Sequence, residues 1–209
     1  MKRLRMESGP YSIVFDKTGF PLVRKSGWRF CISLFPVSKY QFERFMSQSG
    51  PIGNLYTDFW YRSVLSVNPR CTWRNVSQRP WELFLTGLSM DEIRPFFQYL
   101  GEGSRLPSAD EWRIFLGCAD ELAGLKYALF DALSREQCPR PVLHWIKEGL
   151  YPLTKEGLLE WVEDGGRKRC IGHPFTAFYP NLWQPDSVRD IDISSPLRKV
   201  VGFRVVKDG

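Results

Sequence analysis

The sequence predicts an α+β domain, and three observations carry that reading. Short alternating apolar runs open the chain, helix-start signals recur from Ser38 to Ser108, and a β-branched run closes it at Lys199 to Val206. Helices flanked by strands at both ends describe an α+β arrangement whose two termini pair in one sheet. With 209 residues and 43% hydrophobic content, a single core accounts for the chain, so 1–209 reads as one domain.

The elements follow in order. Tyr11-Ser-Ile-Val-Phe15 alternates and contains β-branched residues, and Asp16-Lys-Thr-Gly19 punctuates it as a hairpin loop. Trp28-Arg-Phe-Cys-Ile-Ser-Leu34 is a second β run. A helix then opens at Ser38, which can cap, with Gln41 placed to reach back to it. Tyr40, Phe42, Phe45 and Met46 form its apolar stripe. From Gly50 to Leu85, Pro51, Pro69 and Pro80 are set among Tyr56, Phe59, Trp60, Tyr61, Trp73 and Trp81. That mixture describes a loop-rich segment with aromatic anchors, since a flexible linker is polar and poor in rings.

Two capping boxes follow. Ser89-Met-Asp-Glu92 opens a helix with Ile93, Phe96, Phe97 and Leu100 facing inward and Gly101 as its stop; Pro95 is tolerable there only within the first turn. Ser108-Ala-Asp-Glu111 leads into Trp112, Phe115 and Leu116. Cys118 to Leu133 is helix-prone, and the last third returns to strands.

Charge and cysteine usage narrow the function classes. The net charge is +6 and the pI about 9.1, but the basic residues are scattered. Only Met1-Lys-Arg-Leu-Arg5 and Arg167-Lys-Arg169 cluster, and neither is interleaved with rings that could stack on bases. The five cysteines, Cys31, Cys71, Cys118, Cys138 and Cys170, form no CxxC pair, and two histidines supply a zinc site poorly. Cys31 and Cys118 sit in apolar runs as small core residues, and His144 reads as a core histidine. Neither an apolar leader at the N-terminus nor a stretch long enough to span a bilayer is visible, so the expected setting is the reduced cytoplasm with no membrane partner. Eight Trp and fifteen Phe exceed the needs of one core, which places some rings at a groove or interface.

Several blocks resemble those of the formylglycine-generating enzyme (sulfatase-modifying factor) family, in family order. Phe35-Pro-Val-Ser-Lys-Tyr-Gln-Phe-Glu-Arg-Phe45 is similar to its first helix and Gly87 to Gly101 to its second. Arg105-Leu-Pro-Ser-Ala-Asp-Glu-Trp112 resembles "RLPTEAEW", Leu158-Leu-Glu-Trp161 resembles "VWEW", and Gly202-Phe-Arg204 resembles the closing "GFR". The resemblance implies a C-type-lectin-like fold: loop-rich, with small antiparallel sheets and two or three main helices. It further implies scaffold roles for Arg105, Glu111, Trp112, Glu160, Trp161 and Arg204. The residues agree with that implication, because charged groups inside apolar blocks need partners.

Departures from the pattern matter for chemistry. The family's oxidases bind copper through two closely spaced cysteines, whereas here Cys170 stands alone after Trp161. Its iron-dependent branch takes histidines from a helical domain that these residues do not contain. The "GN" of a calcium-associated turn is replaced by Glu156-Gly157. No metal and no cofactor are therefore expected. Cys170 and His173, three residues apart beside Arg167-Lys-Arg169, are the remaining catalytic candidates, since nearby cations depress a thiol pKa.

Between His173 and Arg189, rings alternate with Pro174, Pro180 and Pro185. Phe178, Tyr179, Trp183 and Arg189 have the composition of a protein-binding hot spot, and the resemblance puts them on the fold's ligand-binding loops. The alternative is that the rings fill the core. The leading expectation is a catalytically inactive, protein-binding relative, an accessory subunit of a bacterial signalling or antiviral-defence assembly. A divergent oxidoreductase or thiol enzyme using Cys170 comes second. A nucleic-acid-binding accessory using Arg3, Arg5, Arg167, Lys168 and Arg169 comes third.

Overall fold

The computed structural model describes residues 3–5, 9–49, 83–136, 138–149, 158–173, 184–191 and 196–209. Their strands are β1 (Arg3–Arg5), β2 (Tyr11–Phe15), β3 (Pro21–Lys25), β4 (Phe30–Ser33), β5 (Ser104–Arg105), β6 (Leu159–Asp164), β7 (Arg167–Gly172), β8 (Val201–Phe203) and β9 (Val206–Asp208). Their α-helices are α1 (Lys39–Ser49), α2 (Met90–Leu100), α3 (Ala109–Leu116), α4 (Ala119–Gly124), α5 (Lys126–Ser134) and α6 (Arg140–Glu148). The fold is α+β. The aromatic segment expected to be loop-rich falls largely outside the described residues.

Six strands form one antiparallel sheet in the order β1-β2-β3-β4-β9-β5. Its centre joins the two ends of the chain: β4 pairs with β9 in the register Phe30↔Asp208, Cys31↔Lys207, Ile32↔Val206. Period-2 alternation sorts the strand residues between two cores. Ile13, Val23 and Ile32 pack with Phe115, Leu122, Leu129, Leu133, Val142 and Trp145 of the α3–α6 layer. Val14, Leu22 and Cys31 pack with Phe42, Phe45, Ile93 and Phe96 of α1 and α2. Both faces of the sheet are thus covered.

The hairpin loop has an internal scaffold. Asp16 accepts from the backbone N–H groups of Thr18 (2.8 Å) and Phe20 (2.9 Å). Gln41 departs from its expected role. Ser38 caps α1 by accepting from Gln41 N–H at 3.0 Å, but the Gln41 side chain donates to Asp16 Oδ2 at 2.7 Å instead of returning to the cap. Oδ1 of Asp16 is already taken by Thr18 and Phe20, and the Gln41 amide supplies the donor for Oδ2, a charge-assisted bond stronger than one to a neutral backbone group. Burial still pushes the Asp16 carboxyl up, against these hydrogen bonds.

Both capping boxes form, Ser89 with Glu92 and Ser108 with Glu111. Pro95, however, lies in the second turn of α2, where the Asp91 carbonyl loses its i+4 donor. Burial of the Pro95 ring and the tight packing of Phe96 against Phe45 (5.3 Å) and Phe203 (6.0 Å) offset that loss.

Three further corrections concern element count and direction. Six helices are described where two or three main ones were expected. The helix-prone stretch from Cys118 divides at Leu125 into α4 and α5, and α6 was not anticipated. The second sheet, ordered β7-β6-β8, is mixed: β6–β7 is antiparallel but β6–β8 is parallel. A parallel pair requires a long crossover, which the chain between β7 and β8 supplies. The closing β-branched run is two strands, β8 and β9, each in a different sheet.

Gly172 ends β7 at φ 112°, and a Cβ there would lie 2.7 Å from the Leu158 carbonyl oxygen. Backbone cannot yield as a side chain tip can. Gly172→Ala should therefore cost at least about 2 kcal/mol in a urea titration; an unchanged midpoint would show that β7 can relax away from Leu158. Among the described residues, no helix is long and apolar enough to cross a membrane.

Candidate functional site

The scaffold residues gather into two ion-pair centres. On the short β5, Arg105 makes a two-pronged bond to Glu111 (2.7 and 2.8 Å) and also reaches Asp208 of β9 at 2.7 Å. Glu111 also accepts from the Ser108 N–H at 2.7 Å, so one carboxylate closes the capping box and clamps β5 to α3. Burial opposes the Glu111 charge, but Arg105 and the Ser108 amide outweigh it and hold the carboxyl below its usual range. A carboxyl lowered by folding stabilises above its unfolded pKa of about 4.3 and loses that contribution as pH falls through the folded value. Glu111→Gln should lower stability near neutrality and flatten the acid limb of the stability–pH curve. An acid limb identical to wild type would remove Glu111 as its source.

The second centre is fully interior. Arg204, between β8 and β9, meets Glu160 of β6 at 2.9 Å, with both side chains essentially inaccessible. Its Nη1 donates to the Ser33 and Leu34 carbonyls at 2.9 Å, and its guanidinium lies 4.8 Å from the Phe115 ring centroid. Burial pushes Glu160 up and Arg204 down, and their mutual attraction opposes both shifts. The Trp112 indole approaches the same carboxylate without reaching good hydrogen-bond geometry. Trp161 is anchored separately, its indole N–H donating to the Leu88 carbonyl at 3.0 Å.

The candidate functional face lies along β7. Trp161 pairs with Cys170, and both point into the core shared with α1 and α2. On its other edge, Cys170 exchanges two backbone hydrogen bonds of 2.8 Å with Arg189. Arg189 is thus held by the sheet edge, half-buried and with further interactions of its own. Arg169 braces the same segment, bonding Asp164 at 2.9 Å, Asp190 at 3.1 Å and the Val188 carbonyl at 3.4 Å. From α3, Arg113 adds bonds to the Asp186 carbonyl at 3.0 and 3.2 Å. Phe178, Tyr179 and Trp183 lie outside the described residues, in the connection between β7 and this braced segment.

Cys170 does not have the environment expected for a nucleophile. The thiol is inaccessible, and burial, with a lesser contribution from Asp190, pushes its pKa up, not down. The neighbouring cations are engaged elsewhere: alternation puts Arg169 on the opposite face, onto Asp164 and Asp190, and Lys168, on the same face as Cys170 but at the exposed end of the strand, pairs with Glu163 at 2.7 Å. His173 follows the strand end, partly buried. A two-thiolate copper site does not fit this place, which offers one sulfur sealed against Trp161. His144 is only partly buried, on α6, and Cys118 is partly exposed where a core position was expected.

One cluster was missed entirely. Lys25 of β3, Tyr11 of β2, and Cys118 and Glu121 beside and on α4 converge within hydrogen-bonding reach. No local motif could reveal it, because Lys25 and Cys118 are 93 residues apart. No protein-family model, curated protein or solved structure matches the chain.

Proposed function

We propose that the chain is a non-catalytic protein-binding module on a formylglycine-generating-enzyme-like, C-type-lectin-like scaffold, serving as an accessory subunit of a bacterial signalling or antiviral-defence assembly. The observation that carries the non-catalytic reading is Cys170: its thiol is inaccessible and its pKa raised, so it is unavailable as metal ligand or nucleophile. Support for the scaffold comes from the motif residues. Arg105 pairs with Glu111 at the rim of the fold, and Glu160 pairs with Arg204 away from solvent. The segments carrying Leu159-Glu-Trp161 and Val201-Gly-Phe203 lie side by side in one sheet.

The binding surface is assigned to Phe178, Tyr179 and Trp183 together with Arg189. A protein-binding loop needs pre-organised ends, and the segment carrying Arg189 is fastened by Arg113, Arg169 and the Cys170 backbone. The test is affinity capture from the native host with wild-type protein and a Tyr179→Ala/Trp183→Ala/Arg189→Glu variant of unchanged melting temperature. A protein held by wild type and lost by the variant supports the assignment; equal retention removes it. Oxidation of a cysteine peptide by copper-loaded protein, or polyanion binding that weakens steeply with salt, would favour the enzymatic or nucleic-acid alternative.

A further inference from the structure

We propose that Lys25 and Cys118 form a redox-gated cross-link, an N–S bond made when a peroxide oxidises the thiol. The Lys25 ammonium lies 3.6 Å from the Cys118 sulfur and 2.6 Å from Glu121 Oε2. It also sits 5.4 Å from the centroid of the Tyr11 ring, whose hydroxyl donates to the same Glu121 oxygen at 2.7 Å. The cluster therefore fixes the amine beside the sulfur from two sides. Accessibility singles out the same thiol. Of the four described cysteines, Cys31, Cys138 and Cys170 are buried, whereas Cys118 is partly exposed. Among the described cysteines, a small oxidant reaches Cys118 first.

The chemistry balances with hydrogen peroxide as oxidant. The sulfur attacks one peroxide oxygen: the S–O bond forms, the O–O bond breaks, and the departing hydroxide takes up the thiol proton as water. Sulfur is oxidised to the sulfenic acid and the peroxide is reduced. Lys25, having passed its extra proton to Glu121 or solvent, attacks that sulfur. The N–S bond forms, the S–OH bond breaks, and hydroxide leaves with an amine proton as the second water. Thiol, amine and peroxide become a sulfenamide and two waters, and an added dithiol reverses the linkage by reducing it.

The Glu121 hydrogen bond raises the Lys25 amine pKa, while Tyr11 and Cys118 complete the titratable groups around it. Free amine is therefore scarce at neutrality, and the cross-linking rate should climb as pH rises. The bond would tie β3 to the start of α4 and close a long loop, so the oxidised protein should melt at a higher temperature.

The experiment treats the full chain with hydrogen peroxide and maps its peptides by mass spectrometry. Expected is a linked pair containing Lys25 and Cys118, two hydrogens lighter than its parts and lost on reduction. Lys25→Arg keeps the positive charge but should yield Cys118 sulfenic acid, trapped by a diketone reagent, with no linked pair and no rise in melting temperature. A melt under reducing conditions checks that this variant folds. Three outcomes would overturn the proposal: a Cys71–Cys118 disulfide as the main product, an unmodified Cys118, or a linked pair that persists in Lys25→Arg.

Discussion

Arg204→Met should destabilise the protein by about 3–5 kcal/mol, the cost of leaving a buried charge without its partner. Met fills much of the same space, so the loss comes from Glu160, stranded in β6 with no accessible surface. The Ser33 and Leu34 carbonyls, both held by Arg204, lose their donor as well. The pH dependence that Glu160 contributes should steepen with the mutation, in the same direction. Without Arg204, burial alone acts on Glu160 and raises its folded pKa further above the unfolded value. Stability contributed by such a carboxyl is complete below the unfolded pKa and is lost as pH rises through the folded one. The variant should therefore regain stability as pH falls from neutral, until the general acid limb intervenes. Adding Glu160→Leu should restore much of the lost stability, because two apolar residues leave no stranded charge. Urea titrations across pH check both points. A single-variant loss below about 1 kcal/mol would mean that water reaches Glu160 and that this centre does not hold the two sheets together.

Trp145→Ala should cost about 3–5 kcal/mol, the range for removing a buried tryptophan. Trp145 is the anchor of α6: it meets Phe35 edge-on at 5.6 Å and lies 6.2 Å from Phe20, joining the helix to residues flanking β3 and β4. Its indole N–H has no hydrogen-bond partner among the described residues. Trp145→Phe therefore forfeits volume but no hydrogen bond and should cost clearly less than the alanine variant. Equal losses for the two, measured by denaturant titration, would show that the N–H makes a bond that matters. A negligible loss for Trp145→Ala would make α6 peripheral to the core.

That helix shows where local reading stops. Its signals were present: Pro139 and Pro141 at the start and Gly149 at the end are the proline-first, glycine-last asymmetry of a helix. The apolar residues from Val142 to Ile146 span little more than one turn, too short a stretch for a helical period to show by itself. The β6–β7 hairpin was legible in the same way, with Gly165-Gly166 between two strands as the residue pair that a tight primed turn requires. By contrast, Ser89 with Glu92 and Ser108 with Glu111 could be read from spacing alone, because a capping box is complete within four residues.

The functional residues divide along the same line. Arg105 and Glu111 are six residues apart, close enough for a motif to imply their bond. Which charge Glu160 meets depends on β6 and the chain after β8 lying side by side, 44 residues apart. The basic run Arg167-Lys-Arg169 suggested a lowered thiol pKa at Cys170, yet alternation puts Arg167 and Arg169 on the opposite face, and Lys168 is held by Glu163 at the exposed end of the strand while the sulfur is buried. Sequence adjacency on a strand places neighbours on opposite faces.

By itself, the sequence determined the α+β class, the capped helix starts, the first hairpin and the meeting of the chain ends in one sheet. Each of these depends on capping, turn or alternation chemistry completed within a few residues, or on the apolar pattern of the termini. Only the tertiary structure decided that the closing β run splits between two sheets, that Gln41 serves Asp16, that Cys170 is sealed, and that Lys25 faces Cys118. Those outcomes depend on which distant surfaces bury one another. Burial is a property of the packed chain, set by the competition of all its apolar and charged groups at once, and no short window of residues contains it.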